Sequence, residues 1–193
     1  VRRVCVFCGS SSGADPRYRE AASDLARVLV ARGLGLVFGG GSVGLMGALA
    51  DAALAAGGEI PGVIPRALAA RELAHRGVAD MRVVPSMHAR KALMAELADA
   101  FVALPGGLGT FEELLEVVTW GQLGIHRKPV GILNVAGYYD PLVALLEHAA
   151  REGFVTPENR RLVLVETSPD VLVDCLRAHQ PPRGPEWITP EQS

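Results

Sequence analysis

Seven short runs of apolar, largely β-branched residues punctuate the chain: Val4 to Phe7, Gly35 to Phe38, Ile60 to Ile64, Met81 to Val84, Ala100 to Leu104, Val130 to Leu133 and Leu162 to Val165. They are almost continuously apolar rather than alternating, the pattern of strands covered on both faces of a parallel sheet. The stretches between them carry helical spacing. From Arg17 to Arg32, the residues Ala21, Ala22, Leu25, Ala26 and Leu29 fall on one stripe, with Asp15 placed to cap the helix, Pro16 at its first position and Gly33 just past its end. Strands alternating with helices predict an α/β fold, a Rossmann-like doubly wound parallel sheet with helices on both faces, in a single domain over residues 1–179. From Gln180 the sequence QPPRGPEWITPEQS holds four prolines and no periodicity, so residues 180–193 read as a Pro-rich C-terminal tail.

In such sheets ligands sit beyond the carboxyl ends of the strands. Three glycine-bearing loops leave predicted strands at that edge: CGSSSG with Gly9 and Ser10, GGGSVGLMG with Gly39, Gly40, Gly41 and Gly44, and PGGLGTFEE with Gly106, Gly107 and Gly109. Glycines let backbone N–H groups converge, and the positive end of a following helix completes an anion site. The third loop then puts Glu112 and Glu113 beside the anion, which demands an explanation. Thr110 and Glu113 have the T-x-x-E spacing of a capping box, which accounts for one glutamate without any ligand but leaves the three glycines unexplained. The alternative is a carboxylate acting on something attached to the phosphate. Along the same helix, Phe111, Leu114, Leu115 and Val118 share one side while Glu113, Val117 and Trp120 project on another, so the helix is expected to back the sheet and also to meet a second subunit. Upstream, MHARKALMAEL opens a helix with Arg90 and Lys91 near its start, beyond the strand end adjacent to the glycine loop, where both cations would balance a phosphate.

Composition removes several classes. With 19 basic and 21 acidic residues and a net charge of −2, nothing draws the chain electrostatically to nucleic acid or a membrane surface. No run reaches the roughly 18 apolar residues of a membrane span, the first residues lack the pattern of a signal peptide, and three cysteines make no disulfide framework. A cytoplasmic protein is expected. Cys5 and Cys8 lie three apart on a predicted strand and so point to opposite faces; the five histidines lack ligand spacing, and no metal is expected. Gly39 to Gly44 fits G-x-G-x-x-G, but the carboxylate about 20 residues on, Glu59, would begin the next strand instead of ending it, which disfavours a nicotinamide cofactor.

Taken together, PGGLGTFEE, MHARK, CGSSSG, FGGGSVGLMG, TWGQLGIHRKPVG and NVAGYYD resemble the LOG (Lonely Guy) family, the cytokinin riboside 5′-monophosphate phosphoribohydrolases, whose members often carry the label "lysine decarboxylase". The likeness spans most of the chain; Leu108 stands where an aromatic is common and Phe111 where leucine is frequent. The resemblance implies hydrolysis of the N-glycosidic bond of N6-modified adenosine 5′-monophosphates, with AMP a further candidate, to free base and ribose 5-phosphate. It implies Arg90 and Glu113 as the catalytic pair, and substrate contacts at Glu72, Arg90, Lys91, Gly107, Leu108, Gly109, Thr110, Phe111, Glu112, Glu113 and Thr119, with Gly106 of the same loop beside them. It also implies a homodimer with the active site at or near the subunit interface, and no cofactor. Two competing readings stand beside it. Pyridoxal phosphate chemistry would have only Lys91 or Lys128 to use, and a non-catalytic nucleotide-binding sensor or carrier would use the same fold and loop without turnover.

Overall fold

In the computed structural model, residues 1–69 and 73–180 are described; the proposed tail, from residue 181 on, lies outside them. The seven predicted strands all form: β1 (Arg3–Phe7), β2 (Gly35–Phe38), β3 (Gly62–Pro65), β4 (Met81–Val84), β5 (Ala100–Ala103), β6 (Val130–Leu133) and β7 (Val163–Glu166). All are parallel, in the order β4-β3-β2-β1-β5-β6-β7. Continuous apolarity marks the five inner strands; the edge strands β4 and β7 are only partly buried. The third strand starts two residues later than its apolar run, because Pro61 has no N–H to enter the ladder and its carbonyl instead accepts from Phe38.

The helices are α1 (Pro16–Ala31), α2 (Gly44–Ala55), α3 (Arg66–Ala69), α4 (Met87–Leu97), α5 (Leu108–Leu123), α6 (Asp140–Arg151), α7 (Pro157–Arg160) and α8 (Pro169–Ala178). Helix α1 is bounded as its sequence dictates: the Asp15 side chain accepts from the Arg17 N–H, and Gly33 stops the helix at φ 69°. Its apolar stripe lies with α2 and α8 on one face of the sheet, where Leu25, Leu29, Leu49 and Leu172 are fully buried over Val4, Val6, Leu36 and Val102. The other face is covered by α4, α5 and the segment around Tyr139, with Met94, Leu114 and Val117 against Cys5, Phe7, Val37 and Phe101. Each fully buried leucine contributes about 1.5–3 kcal/mol, so the two apolar layers hold the helices to the sheet. Cys5 and Cys8 fall in opposite layers, and all three cysteines are free. Among the described residues no helix is long and apolar enough to cross a membrane.

The strand order reverses between β1 and β5: from β1 the chain proceeds to β2 on one side, and β5 lies on the other. At such a switch point the loops leaving the two strands diverge and open a crevice. Here those loops are tied at their roots, the Gly9 N–H donating to the Pro105 carbonyl at 3.0 Å, while Leu45 at the start of α2 donates to the Gly9 carbonyl at 3.0 Å. This approach is close enough to require Gly44, which sits at φ 64° and whose Cβ would lie 2.3 Å from the backbone carbon of Ser10. Gly44→Ala is therefore expected to destabilise the protein by about 3 kcal/mol through backbone strain and displacement of the Ser10 loop, as measured by urea unfolding monitored at the tryptophans.

Candidate active site

Helix α5 begins at Leu108, with Gly107 as an extended N-cap and no side chain capping it. The first-turn amides of a helix have no partners within it, so this 16-residue helix presents its positive end unshielded. Thr110 is the third residue inside the helix, not its cap. The capping box is therefore not formed, and Glu113 turns elsewhere: its Oε1 accepts from Arg90 Nη1 at 2.7 Å, both side chains being about nine-tenths buried (10% and 9% exposed). Arg90 comes from α4, whose start is capped by Ser86 accepting from the Ala89 N–H. Its Nε also donates to the Val63 carbonyl of β3 at 3.3 Å.

The guanidinium reaches this position only because residue 39 is glycine: a Cβ there would lie 2.0 Å from Arg90 Nη2. Gly40 is a second specific requirement, at φ 74° in the turn leaving β2. Within the G-x-G-x-x-G stretch, Gly39 thus makes room for a cation and Gly44 admits the approach of Ser10, while the tight turn falls on Gly40, an x position of the motif. Glu59 lies at the opposite end of the strands and pairs with Arg3.

Around the pair opens a cleft of about 390 Å³, within the size range of small-molecule sites. Ser10, Arg90, Thr110 and Glu113 supply its polar groups, and Val43, Met46, Ile64, Leu68 and Leu73 form an apolar wall. Of the residues anticipated from sequence, Gly9, Ser10, Gly39, Gly41, Arg90, Gly107, Leu108, Gly109, Thr110 and Glu113 line this cleft. Gly40, Gly44, Gly106, Lys91, Phe111 and Glu112 are not among the residues lining it. Adjacent helical residues diverge by about 100°, so Lys91 turns away from Arg90, and its ammonium lies between Glu112 and Glu116, at 2.8 Å from the latter. Thr119 is exposed on α5 and donates to the Leu115 carbonyl. Glu72 lies outside the described residues. The apolar wall was missed because its members are scattered over β3, the start of α2, α3 and the segment at Leu73, and each looks like a core residue in its own stretch.

The two-sided reading of α5 needs a correction. Glu113 and Val117 are buried together with Thr110 and Leu114, on one face, whereas Leu115 is exposed. At 100° per residue those four span about 100° of arc, and the glycine loop tied to Gly9 sets the helix rotation so that this arc meets the sheet. The outward apolar strip is Leu108 and Leu115, with the half-buried Phe111 and Val118 at its margin.

Electrostatically, burial pushes the Glu113 carboxyl up from the ordinary glutamate value; the Arg90 guanidinium opposes this, and the neighbouring Glu112 adds to the rise. The net direction is upward. The Cys8 thiol in the cleft is driven up by burial and by Glu113, which leaves it a neutral wall atom and not a nucleophile. In ¹³C-detected carboxyl titrations, Glu113 is expected to titrate above 4.5 in the wild-type protein, and higher again in Arg90→Gln, where the opposing charge is gone.

Residues 46–176 match the family model described as "Possible lysine decarboxylase". Over 180 residues the chain is 52% identical to a probable cytokinin riboside 5′-monophosphate phosphoribohydrolase of Oryza sativa subsp. japonica, covering 93% of this chain and 85% of the relative. It is likewise 52% identical over 180 residues to a cytokinin riboside 5′-monophosphate phosphoribohydrolase of Arabidopsis thaliana, covering 93% and 83%. Among solved structures, the molybdenum cofactor carrier protein of Chlamydomonas reinhardtii superposes with a TM-score of 0.70 over 92% of this chain and 99% of its own, at 21% identity. The molybdenum cofactor binding protein of Rippkaea orientalis superposes with a TM-score of 0.69 over 92% and 96%, also at 21% identity. These two establish the fold alone. Sequence identity over almost the whole length, joined to the glycine loop and the buried arginine–glutamate pair, places the chain in the LOG family of cytokinin riboside 5′-monophosphate phosphoribohydrolases.

Proposed function

We propose that the protein hydrolyses the N-glycosidic bond of N6-modified adenosine 5′-monophosphates, releasing the free base and ribose 5-phosphate. The observation that carries this reading is the buried Arg90–Glu113 pair, 2.7 Å apart in a cleft that also contains the bare amino end of α5. The amides of Gly107, Leu108 and Gly109 receive the 5′-phosphate, assisted by the helix dipole. The ribose then lies toward Glu113. As the C1′–N9 bond breaks, its electron pair leaves with the base and positive charge develops on the sugar, where the carboxylate stabilises it. Water adds to C1′; its proton is lost and the departing base gains one. Arg90 holds the carboxylate in place and opposes its protonation, which is the role its ion pair with Glu113 suits best. The apolar wall of Val43, Met46, Leu68 and Leu73 offers a site for an apolar N6 substituent. Neither lysine lines the cleft, Lys91 being ion-paired with Glu112 and Glu116 and Lys128 donating to the Ala95 carbonyl, so Schiff-base chemistry has no nucleophile there.

The same reading makes the working unit a homodimer. Leu108 and Leu115 are 86% and 42% exposed on the outer side of α5, next to Thr119, which supports a reading in which Thr119 belongs to a subunit contact and the cleft mouth to its border. The domain is taken as residues 1–179. Leu115→Glu is expected to shift the protein toward monomer in analytical ultracentrifugation; an unchanged sedimentation coefficient would remove α5 from the interface.

Base release from N6-isopentenyladenosine 5′-monophosphate and from AMP, separated by chromatography, tests the activity. Glu113→Gln is expected to keep the fold and lose about 10²–10³ in turnover. Because the reaction needs ionised Glu113, the wild-type rate should fall as pH drops through that group's raised pKa, giving an acid limb above 4.5. Tight nucleotide binding by the wild type with no base released would favour a sensor or carrier instead.

A further inference from the structure

The NVAGYYD segment, residues 134–140, lies outside the cleft lining yet grips the glycine loop. Three consecutive loop carbonyls are each held by a donor. Leu104 accepts from the Tyr139 hydroxyl at 2.7 Å, Pro105 from the Gly9 N–H at 3.0 Å, and Gly106 from the Tyr138 hydroxyl. The segment that presents the two tyrosines is itself forced. Ala136 is the only non-glycine residue with positive φ among the described residues, at 53°, and Gly137 follows at 71°. That left-handed pair is secured by buried Asn134, whose Oδ1 accepts from the Tyr139 N–H at 2.8 Å and whose Nδ2 donates to Asp140 Oδ1 at 2.7 Å. Backbone strain of this kind persists only where surrounding contacts over-determine it. Burial also drives the Tyr139 pKa upward, which keeps its hydroxyl a donor.

We infer that Tyr138 is a positioning residue that aims the phosphate-binding amides of the glycine loop by fixing the Gly106–Gly107 peptide plane. In a trans peptide the carbonyl of one residue and the N–H of the next point in opposite directions. With the Gly106 carbonyl turned toward Tyr138, the Gly107 N–H points away from it, and Gly107 lines the cleft while Tyr138 does not. The fixing is needed because of the glycines. Position 106 must be glycine, since a Cβ there would lie 2.1 Å from Thr110 Oγ1 and 2.9 Å from the Gly9 nitrogen. Two adjacent glycines leave the peptide between them free to rotate, which would scatter the N–H that has to meet the anion. The ring of Tyr138 is itself immobilised, edge-on to Tyr18 and Tyr139 and stacked on Phe111. This rests on the proposed phosphate site, and extends it from the amides to the side chain that orients them.

Tyr138→Phe keeps every ring contact and removes only the hydroxyl. It is expected to weaken ribose 5-phosphate binding about tenfold in titration calorimetry, the scale of one lost hydrogen bond, and to lower kcat/KM for the 5′-monophosphate by a similar factor, chiefly through KM. Tyr139→Phe is the control. Its partner carbonyl, Leu104, precedes Pro105, which has no N–H to aim, so that variant is expected to lose thermal stability without a selective loss of phosphate affinity. Unchanged ribose 5-phosphate binding in Tyr138→Phe, or equal loss in both variants, overturns the inference. Failure of the hydrolase reading shows itself separately, as wild-type protein that binds ribose 5-phosphate but releases no base; a weakened Tyr138→Phe would then still establish the positioning role.

Discussion

Two opposite charges are buried side by side in the cleft, and much of the local architecture follows from keeping them there. Removing a carboxylate and a guanidinium from water costs several kcal/mol per ion, and the pair repays this only with close geometry and further hydrogen bonds. Arg90 meets both conditions: its Nη1 is 2.7 Å from Glu113 and its Nε binds the Val63 carbonyl. The requirement propagates outward. Gly39 has to be glycine to admit the guanidinium, Ser86 has to start α4 where Arg90 reaches inward, and α5 has to be rotated so that Glu113 faces the sheet. A buried pair of this cost makes a poor stabiliser of the fold. Its location at the switch point of the sheet accords with a catalytic use.

The second organising element is backbone, not side chain. An anion site made of amides gains strength from the helix end and needs no mobile cation, but it depends on peptide planes pointing the right way. Glycine both permits and endangers this. Gly44 and Gly106 let three chain segments approach within contact of one another, and the conformational freedom that comes with them is removed by Gly9, Tyr138 and Tyr139 acting on successive carbonyls. The paradox of acidic residues beside the glycine loop at the positive end of α5 resolves in the same geometry. Glu112 faces outward to Lys91, and Glu113 faces Arg90, so each has its own cation.

The likeness to molybdenum cofactor proteins at 21% identity, against 52% identity to phosphoribohydrolases, separates what a fold carries from what residues carry. The doubly wound sheet supplies a crevice at the β1/β5 junction whatever the ligand. The chemistry lies in which side chains the loops deliver to it.

Strand positions, sheet type, the caps of α1 and the sites of the three glycine loops were legible in the sequence, because each depends on interactions within a few residues: apolar periodicity, a side chain capping its own helix, a glycine at a left-handed turn. Opposite orientation of Cys5 and Cys8 was legible for the same reason. The rotation of α5 was not, and a local rule misled there: T-x-x-E spacing suggests a cap, yet the helix starts three residues earlier than that cap requires and sends Glu113 to a residue 23 positions away. The divergence of Arg90 and Lys91, the room that Gly39 makes, the apolar wall, and the tyrosines behind the glycine loop all arise from contacts between segments far apart in the chain. Sequence patterns record what neighbours along the backbone do to one another; which side chains share a buried volume is decided only when the sheet order brings β1, β2, β3 and β5 together.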